Sequence, residues 1–284
     1  MTIRLQQLLD EAGPDVKACC TALYEHEWAS LLLGESFHPG GIALTERLGQ
    51  VLELTSTDSV LDVACGRGRS TIHLATATGC EITGIDLSAS NIGIAKAAAS
   101  STCEGHRMRF LQADAEALPF ENSSFDAVIC ECALCTFPDK RTAVQEIFRI
   151  LKPGGRFGLS DVIRDGPLPK QLDHILGVAA CVADARSVRD YSSMLLDAGF
   201  SVELIERHDS ALRSIAGQIH TRLIGAQVLI KTGQIEVPNF DLTQARQLLR
   251  DARDAIAAGT LGYGLFIAMK PPVPTRSTAR SGSS

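Results

Sequence analysis

Carboxylates and glycines recur at the ends of apolar segments in the first half of this sequence. Asp62, Gly66 and Gly68 lie at or just beyond the end of the segment SVLDV, and Asp86 ends the segment EITGID about 20 residues further on. A carboxylate in that position can accept hydrogen bonds from both hydroxyls of a ribose, while the glycines let backbone N–H groups approach a ligand closely. Asp114 ends the segment MRFLQAD and can accept from the exocyclic amine of adenine. These residues predict a site for an adenine nucleoside.

Two other interpretations apply to the same stretch. Asp86 and Asp114 could each cap a helix or form a turn, but this does not explain acids at the ends of three successive apolar segments. A nicotinamide dinucleotide site also uses glycines, yet its fingerprint contains a third glycine, and here Arg69, Ser70 and Thr71 occupy that region. Both interpretations are therefore disfavoured.

The nine cysteines form a second group of residues that could do chemistry. In a reducing compartment they are thiols, and their spacing does not match paired zinc knuckles. Strand alternation predicts that Cys130 and Cys132 share one face, while Cys20 lies near the N-terminus and Cys181 follows the fifth predicted strand. Converging thiolates would hold a thiophilic element such as arsenic(III), because soft ligands prefer soft ions. Alternatively, each cysteine is a small buried apolar residue.

Alternating apolar strands and helices must position these side chains. Seven segments are predicted to be strands, from SVLDVAC to GYGLFIAMK, and helices separate most of them. This order predicts an α/β fold with a doubly wound, mostly parallel seven-stranded sheet whose ligand site lies beyond the carboxyl ends of the strands. The last strand follows a long helical stretch at about 210–257, which predicts an antiparallel insertion. Pro153 and Gly154 are expected to end the helix KRTAVQEIFRILKPG.

The chain divides into five predicted segments. They are an N-terminal helical lid (1–54), a ligand-binding core (55–208), a helical insertion (209–260), a closing strand of the core (261–270) and a disordered tail (271–284). Residues 1–50 and 165–258 are expected to form a helical cap.

Composition limits the partners of the chain. Its 284 residues are 45% hydrophobic, which allows a sizeable core. A net charge of -6 disfavours nucleic acid as a partner, since a basic patch would be needed. The sequence contains no apolar run of membrane-spanning length and no signal-peptide pattern at its start. We therefore expect a cytoplasmic protein that binds neither nucleic acid nor membrane.

The motifs VLDVACGRGRST, GIDLS, QADAEALPF, FDAVIC and EIFRILKPGGRFGLSDV occur in order over about residues 55–200. Together they resemble the class I S-adenosylmethionine-dependent methyltransferases. The resemblance implies a Rossmann-like methyltransferase fold, with S-adenosyl-L-methionine as the cofactor. It implies that Asp62 faces the methionine amine, that Asp86 holds the ribose and that Asp114 and Ala115 read adenine. The cofactor-binding residues implied in this way are Asp62, Ala64, Gly66, Gly68, Asp86, Leu87, Asp114, Ala115 and Cys130.

The stretch ECALCTFPDK resembles a motif of the arsenite methyltransferases, in which a Cys and a short apolar spacer precede Pro-Asp-Lys. The resemblance implies that Cys132, Cys181 and Cys20, or its neighbour Cys19, are catalytic and hold arsenic(III) as a metal-like acceptor. It implies a small-molecule acceptor and a thiol reductant as partners. Beyond residue 208 the sequence departs from that family.

Three further interpretations stay open. The acceptor could be a small organic or chalcogen compound, such as a thiol, sulfide, selenide or quinol-like molecule, with the cysteines inert. The protein could instead be a non-catalytic sensor of S-adenosylmethionine or arsenite. In the loop GESFHPGG, His38 could be a base or a structural residue, and Glu131 is expected to point away from Cys130 and Cys132, toward the cofactor.

Overall fold

The computed structural model describes residue 17 and residues 38–168, 182, 184–231 and 242–273. Most of the predicted lid and tail therefore lies outside the described residues, as do Cys19, Cys20 and Cys181. In chain order the described elements are α1 (Gly41–Val51), β1 (Ser59–Val63), α2 (Arg69–Thr78), β2 (Glu81–Asp86), α3 (Ala89–Ser100), β3 (Met108–Gln112), β4 (Phe125–Glu131), α4 (Lys140–Ile150), β5 (Leu151–Arg164), α5 (Val188–Asp197), β6 (Ser201–Arg207), α6 (Asp209–Lys231), α7 (Leu242–Ala257) and β7 (Leu261–Met269).

The seven strands form one sheet in the order β3-β2-β1-β4-β5-β7-β6. The first five strands of this order pair in parallel, and β7 is antiparallel to both β5 and β6. The predicted fold, including the antiparallel last strand, is confirmed. Because β1 lies between β2 and β4, the strand order reverses there. A crevice opens at such a reversal, beyond the carboxyl ends of the strands.

Helices cover both faces of the sheet. Apolar side chains of α1, α2, α3, α6 and α7 pack into one hydrophobic core, and those of α4 and α5 pack into the other. The α4 helix shows why: its buried apolar residues recur at helical spacing and form one stripe facing the sheet. They are Ala143, Val144, Ile147 and Ile150. Burying each large apolar side chain contributes about 1.5–3 kcal/mol.

The structure corrects one predicted boundary. The α4 helix ends at Ile150, and Pro153 and Gly154 belong to β5 rather than to a helix stop. The residue before a proline favours extended backbone, so the helix cannot continue through Lys152. The strand starts at once, because Leu151 pairs with Phe125 of β4. Within residues 209–257 the structure describes two separate helices, α6 and α7.

Among the described residues, none of the helices combines the length and the apolar character that crossing a lipid bilayer requires.

Candidate functional site

A cleft lies at the reversal of strand order, beyond the carboxyl ends of β1, β2 and β4. It encloses about 1270 Å³ of empty space, including its mouth open to solvent. Residues of the loops that follow β1, β2, β3 and β4 line it.

The glycine loop joins β1 to α2 and forms the floor of this cleft. Ala64, Gly66 and Gly68 all have left-handed backbone, with φ of 58°, 54° and 77°. A methyl group added to Gly66 would meet no atom within 4 Å, so this part of the loop is open to a ligand. A methyl group on Gly68 would lie 2.9 Å from both Ala95 Cβ and Phe110 Cε1. Gly66 thus presents backbone to the cleft, whereas Gly68 allows close packing beneath it.

Asp86 fixes the loop against the end of β2. Its carboxylate accepts hydrogen bonds from Gly66 N at 2.9 Å and from Ser88 N at 2.8 Å. A carboxylate has about four acceptor sites, so hydrogen bonds to backbone and to a ligand can be made by the same group. Asp86 and its neighbour Leu87 both line the cleft, so the carboxylate can shape the loop and also accept from ligand hydroxyls.

Asp114 lies at the far end of the cleft, in an ion-paired cluster. Lys17 Nζ donates to Asp114 Oδ2 at 2.7 Å and to Glu116 Oε2 at 2.6 Å, and Glu116 N donates to Asp114 Oδ1 at 2.9 Å. Burial by itself raises the pKa of Asp114, but these hydrogen bonds outweigh burial and hold the pKa below its usual value. Asp114 is therefore a carboxylate at neutral pH. Ala115 lines the same end of the cleft.

Asp62 lies at the base of the cleft and is only 2% exposed. Thr71 Oγ1 donates to its Oδ2 at 2.5 Å. Burial raises the pKa of Asp62 to about 8, the Thr71 hydrogen bond opposes this shift, and the nearby carboxylates of Glu131 and Asp86 add to it. Without a ligand, Asp62 is thus mainly protonated at neutral pH. A ligand cation placed beside it would favour the carboxylate form.

Glu131, at the end of β4, joins a ring of polar side chains that sequence reasoning only partly identified. Thr45 Oγ1 of α1 lies 3.1 Å from both Glu131 carboxylate oxygens and 3.3 Å from Ser70 Oγ of α2. Ser70 Oγ lies 3.4 Å from His38 Nε2, and His38 Nδ1 lies 3.8 Å from Glu131 Oε1. All except Thr45 line the cleft.

The prediction that Cys130 and Cys132 share one face is wrong. Cys130 is fully buried in the core on the α4 and α5 side, and burial raises the pKa of its thiol well above the ordinary value. Cys132 lies beyond the end of β4, has φ of 54°, contacts the opposite core and lines the cleft. The left-handed residue breaks the two-residue alternation of the strand. Cys130 and Gly68 are the predicted cofactor residues that do not line the cleft.

The cysteine triad expected to hold arsenic(III) is only partly described. Cys132 faces the cleft, while Cys20 and Cys181 lie outside the described residues. Within the described ranges, no group of three His, Cys, Asp or Glu side chains could hold a metal ion.

Asn91 was missed by the sequence analysis, although it lies on the first turn of α3 after GIDLS. It lines the cleft, is 4% exposed, and its Oδ1 has no hydrogen-bond partner among the described residues. A buried acceptor without a partner is costly, which points to a ligand donor. Together with the open Gly66 backbone and the Asp86 carboxylate, Asn91 fits a ligand rich in hydrogen-bonding groups, as a sulfonium nucleoside is.

Comparisons with known proteins agree with this geometry. The family model of a methyltransferase domain matches residues 60–155. The 27-O-demethylrifamycin SV methyltransferase of Amycolatopsis mediterranei is 30% identical over 231 residues, which cover 80% of this chain and 83% of that protein. The chain spans 48–59% of the length of three further relatives named as O-methyltransferases.

Solved structures share the fold. Phosphoethanolamine N-methyltransferase 2 of Haemonchus contortus, in complex with S-adenosyl-L-methionine, has a TM-score of 0.71 at 19% identity, covering 92% of this chain and 59% of that one. The [4+2]-cyclase SpnF has a TM-score of 0.69 at 22% identity, covering 96% of this chain and 98% of that one. These likenesses show the fold alone, since one fold can host different reactions.

Proposed function

Because this chain belongs to the class I S-adenosylmethionine-dependent methyltransferases, we propose that it transfers the methyl group of S-adenosylmethionine to a small organic acceptor. One observation carries the proposal. The cleft that contains Asp86 and Asp114 continues past the end of β4 into a mainly apolar wall, formed by Cys132, Ala133, Thr136, Phe137 and Pro138. Such a wall suits a small organic molecule beside the cofactor.

Different carboxylates of the cleft would bind different parts of the cofactor. Asp86 would accept from the ribose hydroxyls, Asp114 from the adenine amine, and Asp62 would face the methionine ammonium. When bound, S-adenosylmethionine supplies a methyl group on a positively charged sulfur. The enclosed wall beyond β4 would hold the acceptor in line with that methyl group and limit water, which is the main requirement of a direct displacement.

The relative from Amycolatopsis mediterranei, named for a demethylrifamycin acceptor, supports a small organic acceptor. Cys132 supports a second candidate, arsenic(III), because its side chain faces the same cleft. That candidate needs further thiolates from Cys20 and Cys181, and a thiol reductant as a co-reactant. The burial of Cys130 in the opposite core removes one thiol from consideration as a ligand.

An acceptor screen tests the proposal. The full chain is incubated with S-adenosylmethionine and, separately, with hydroquinone, catechol, a naphthohydroquinone, sulfide, selenite, or arsenite plus glutathione, and released S-adenosylhomocysteine is measured. Release with a phenolic acceptor is expected. If the assay with arsenite and glutathione is the one that releases S-adenosylhomocysteine, and Cys132→Ser abolishes this release, the acceptor is arsenic(III) instead of an organic molecule. Cofactor binding without release from any acceptor would indicate a sensor.

Variants tie this activity to the cleft. Asp86→Ala should weaken cofactor binding about 100-fold, because two ribose hydroxyls lose hydrogen bonds to a charged acceptor worth roughly 1.5 kcal/mol or more each. Asp197→Ala is the matched control, since this exposed carboxylate on α5 pairs with Arg141 away from the cleft. If both variants bind the cofactor as the unaltered chain does, the cleft is not its site.

A further inference from the structure

His38 is enclosed in the cleft wall by polar groups from three elements. Its side chain is 10% exposed and that of Glu131 only 4%. Nδ1 lies 3.4 Å from the Pro39 carbonyl oxygen and 3.8 Å from Glu131 Oε1, while Nε2 lies 3.4 Å from Ser70 Oγ. Both oxygens near Nδ1 are acceptors, so the neutral ring carries its proton on Nδ1. Nε2 then presents a lone pair.

We propose that His38 is the general base of the methyl transfer and that the acceptor therefore reacts through a hydroxyl group. This inference rests on the proposed function and specifies its substrate class. Oxygen nucleophiles usually need a positioned base, whereas arsenic(III) or a thiolate attacks through a lone pair that is already available. A carboxylate-backed imidazole in the cleft is a feature that a hydroxyl acceptor requires and a soft acceptor does not.

The hydrogen-bond geometry matches the state in which His38 has gained a proton. Nε2–H can then donate to Ser70 Oγ at 3.4 Å, the Ser70 hydroxyl to Thr45 Oγ1 at 3.3 Å, and the Thr45 hydroxyl to Glu131 at 3.1 Å. Each donor in this series of hydrogen bonds has an acceptor, and the series ends at the carboxylate of Glu131. In the neutral state the Ser70 hydroxyl points to Nε2 instead. Proton uptake thus needs only a rotation of the Ser70 hydroxyl.

The step balances without a further reactant. The Ser70 hydroxyl first rotates to Thr45 Oγ1, which frees the lone pair of His38 Nε2. The proton of the acceptor hydroxyl moves to Nε2, and the oxygen lone pair forms the bond to the methyl carbon. The bond between that carbon and sulfur breaks, and its electron pair stays on the sulfur of S-adenosylhomocysteine. Among the described residues, Glu131 is the ionisable group within 4 Å of His38, and Asp62, Arg69 and Cys132 also line the cleft.

Three variants test the inference, with any hydroxyl acceptor found in the screen. His38→Gln retains hydrogen-bonding groups without a basic nitrogen, and His38→Ala leaves space for added imidazole. Both should lower the single-turnover rate by about 100- to 10,000-fold, with cofactor affinity little changed. The acid limb of the rate–pH profile should disappear in both, and imidazole should restore activity to His38→Ala. His73→Gln is the control, because it removes a histidine that lies 3.0 Å from Glu46 outside the cleft.

Several results would overturn the inference. If His38→Gln weakens cofactor binding and leaves the saturated rate unchanged, His38 binds the cofactor instead. Equal rates in the unaltered chain and in both His38 variants would exclude a base at this position. If arsenite is the one acceptor methylated, the hydroxyl assignment is wrong although methyl transfer stands. Release of S-adenosylhomocysteine from no acceptor at all would be the separate failure of the proposed function, and the inference would fall with it.

Discussion

Replacing Asp62 by Asn should change how the stability of the ligand-free protein depends on pH. Asp62 is buried at the base of the cleft, and burial raises the pKa of its carboxyl to about 8 from a reference value of 3.8. The folded chain therefore keeps a proton that the unfolded chain releases between these two values. Because the folded state binds more protons in this window, the free energy of unfolding falls as pH rises. The Asn side chain cannot titrate, so this contribution disappears.

The size of the effect follows from the width of the window. A difference of one bound proton changes the free energy of unfolding by about 1.4 kcal/mol per pH unit. Between about pH 5 and about pH 7, the unfolded carboxyl is almost fully ionised and the folded one almost fully protonated. Asp62 should therefore reduce the free energy of unfolding by roughly 2–3 kcal/mol over this range.

Urea unfolding at several pH values, monitored by circular dichroism, measures this difference. The curve of stability against pH for Asp62→Asn should be flatter than that of the unaltered chain by the amount above. Asp197→Asn, at an exposed ion pair, should leave the slope unchanged. Parallel curves for Asp62→Asn and the unaltered chain would mean that Asp62 is ionised at neutral pH, and the reasoning from burial would be wrong.

Three further predictions follow from the structure. Binding of S-adenosylmethionine near pH 7 should release close to one proton, because an ammonium beside Asp62 favours its carboxylate form; calorimetry in buffers of different ionisation enthalpy measures the release. Gly68→Ala should lower the free energy of unfolding by about 1–3 kcal/mol, because crowding adds to the strain of its left-handed backbone. Gly66→Ala meets no crowding and should cost less stability, through backbone strain alone, but should weaken cofactor binding. Urea unfolding and cofactor titration separate the two variants. Lys140→Met should lower the free energy of unfolding by about 1.5–3 kcal/mol, because the buried ammonium donates charged hydrogen bonds to Asp184 and to a backbone carbonyl. Asp184→Asn should cost less, because the Asp184 side chain is partly exposed.

Each of these predictions has an outcome that contradicts it. Equal proton release by the unaltered chain and Asp62→Asn would assign the proton to another group. A stable Gly68→Ala variant would mean that the packing beneath the loop is loose. Equal losses for Lys140→Met and Asp184→Asn would show that the exposed ion pair, rather than the buried end of the lysine, provides the stability.

Much of the cleft is predictable because its chemistry is local in the sequence. Gly66 and Asp86 each follow a strand directly, and parallel strands bring their carboxyl ends to one edge. Lys17 and Glu116 were not predicted, since their contact joins residues 99 positions apart and nothing in the local pattern marks either side chain. Asn91 could have been found by placing GIDLS at the start of a helix and asking which side of its first turn faces the strand ends.

The cysteines show where a periodic rule stops. Alternation correctly describes β4 from Ala127 to Cys130. Cys132 adopts left-handed backbone just beyond the strand, which rotates its side chain into the cleft. The end of α4 has a similar cause. A helix stop was expected at Pro153, whereas pairing between Leu151 and Phe125 begins β5 immediately after Ile150. Both errors lie at junctions, where tertiary pairing overrides local preference.

The position of β7 has a consequence for how the chain is assembled during translation. This strand is inserted between β5 and β6, although it follows both in the chain. When the ribosome has delivered the first five strands, they can already pair with one another and form the nucleoside-facing half of the sheet. The β6 strand pairs with β7, so it cannot join the sheet until β7 has been synthesised. A nascent chain stalled before residue 261 would therefore contain the strands whose carboxyl ends form the cleft, but would lack the strand that joins β6 to the sheet.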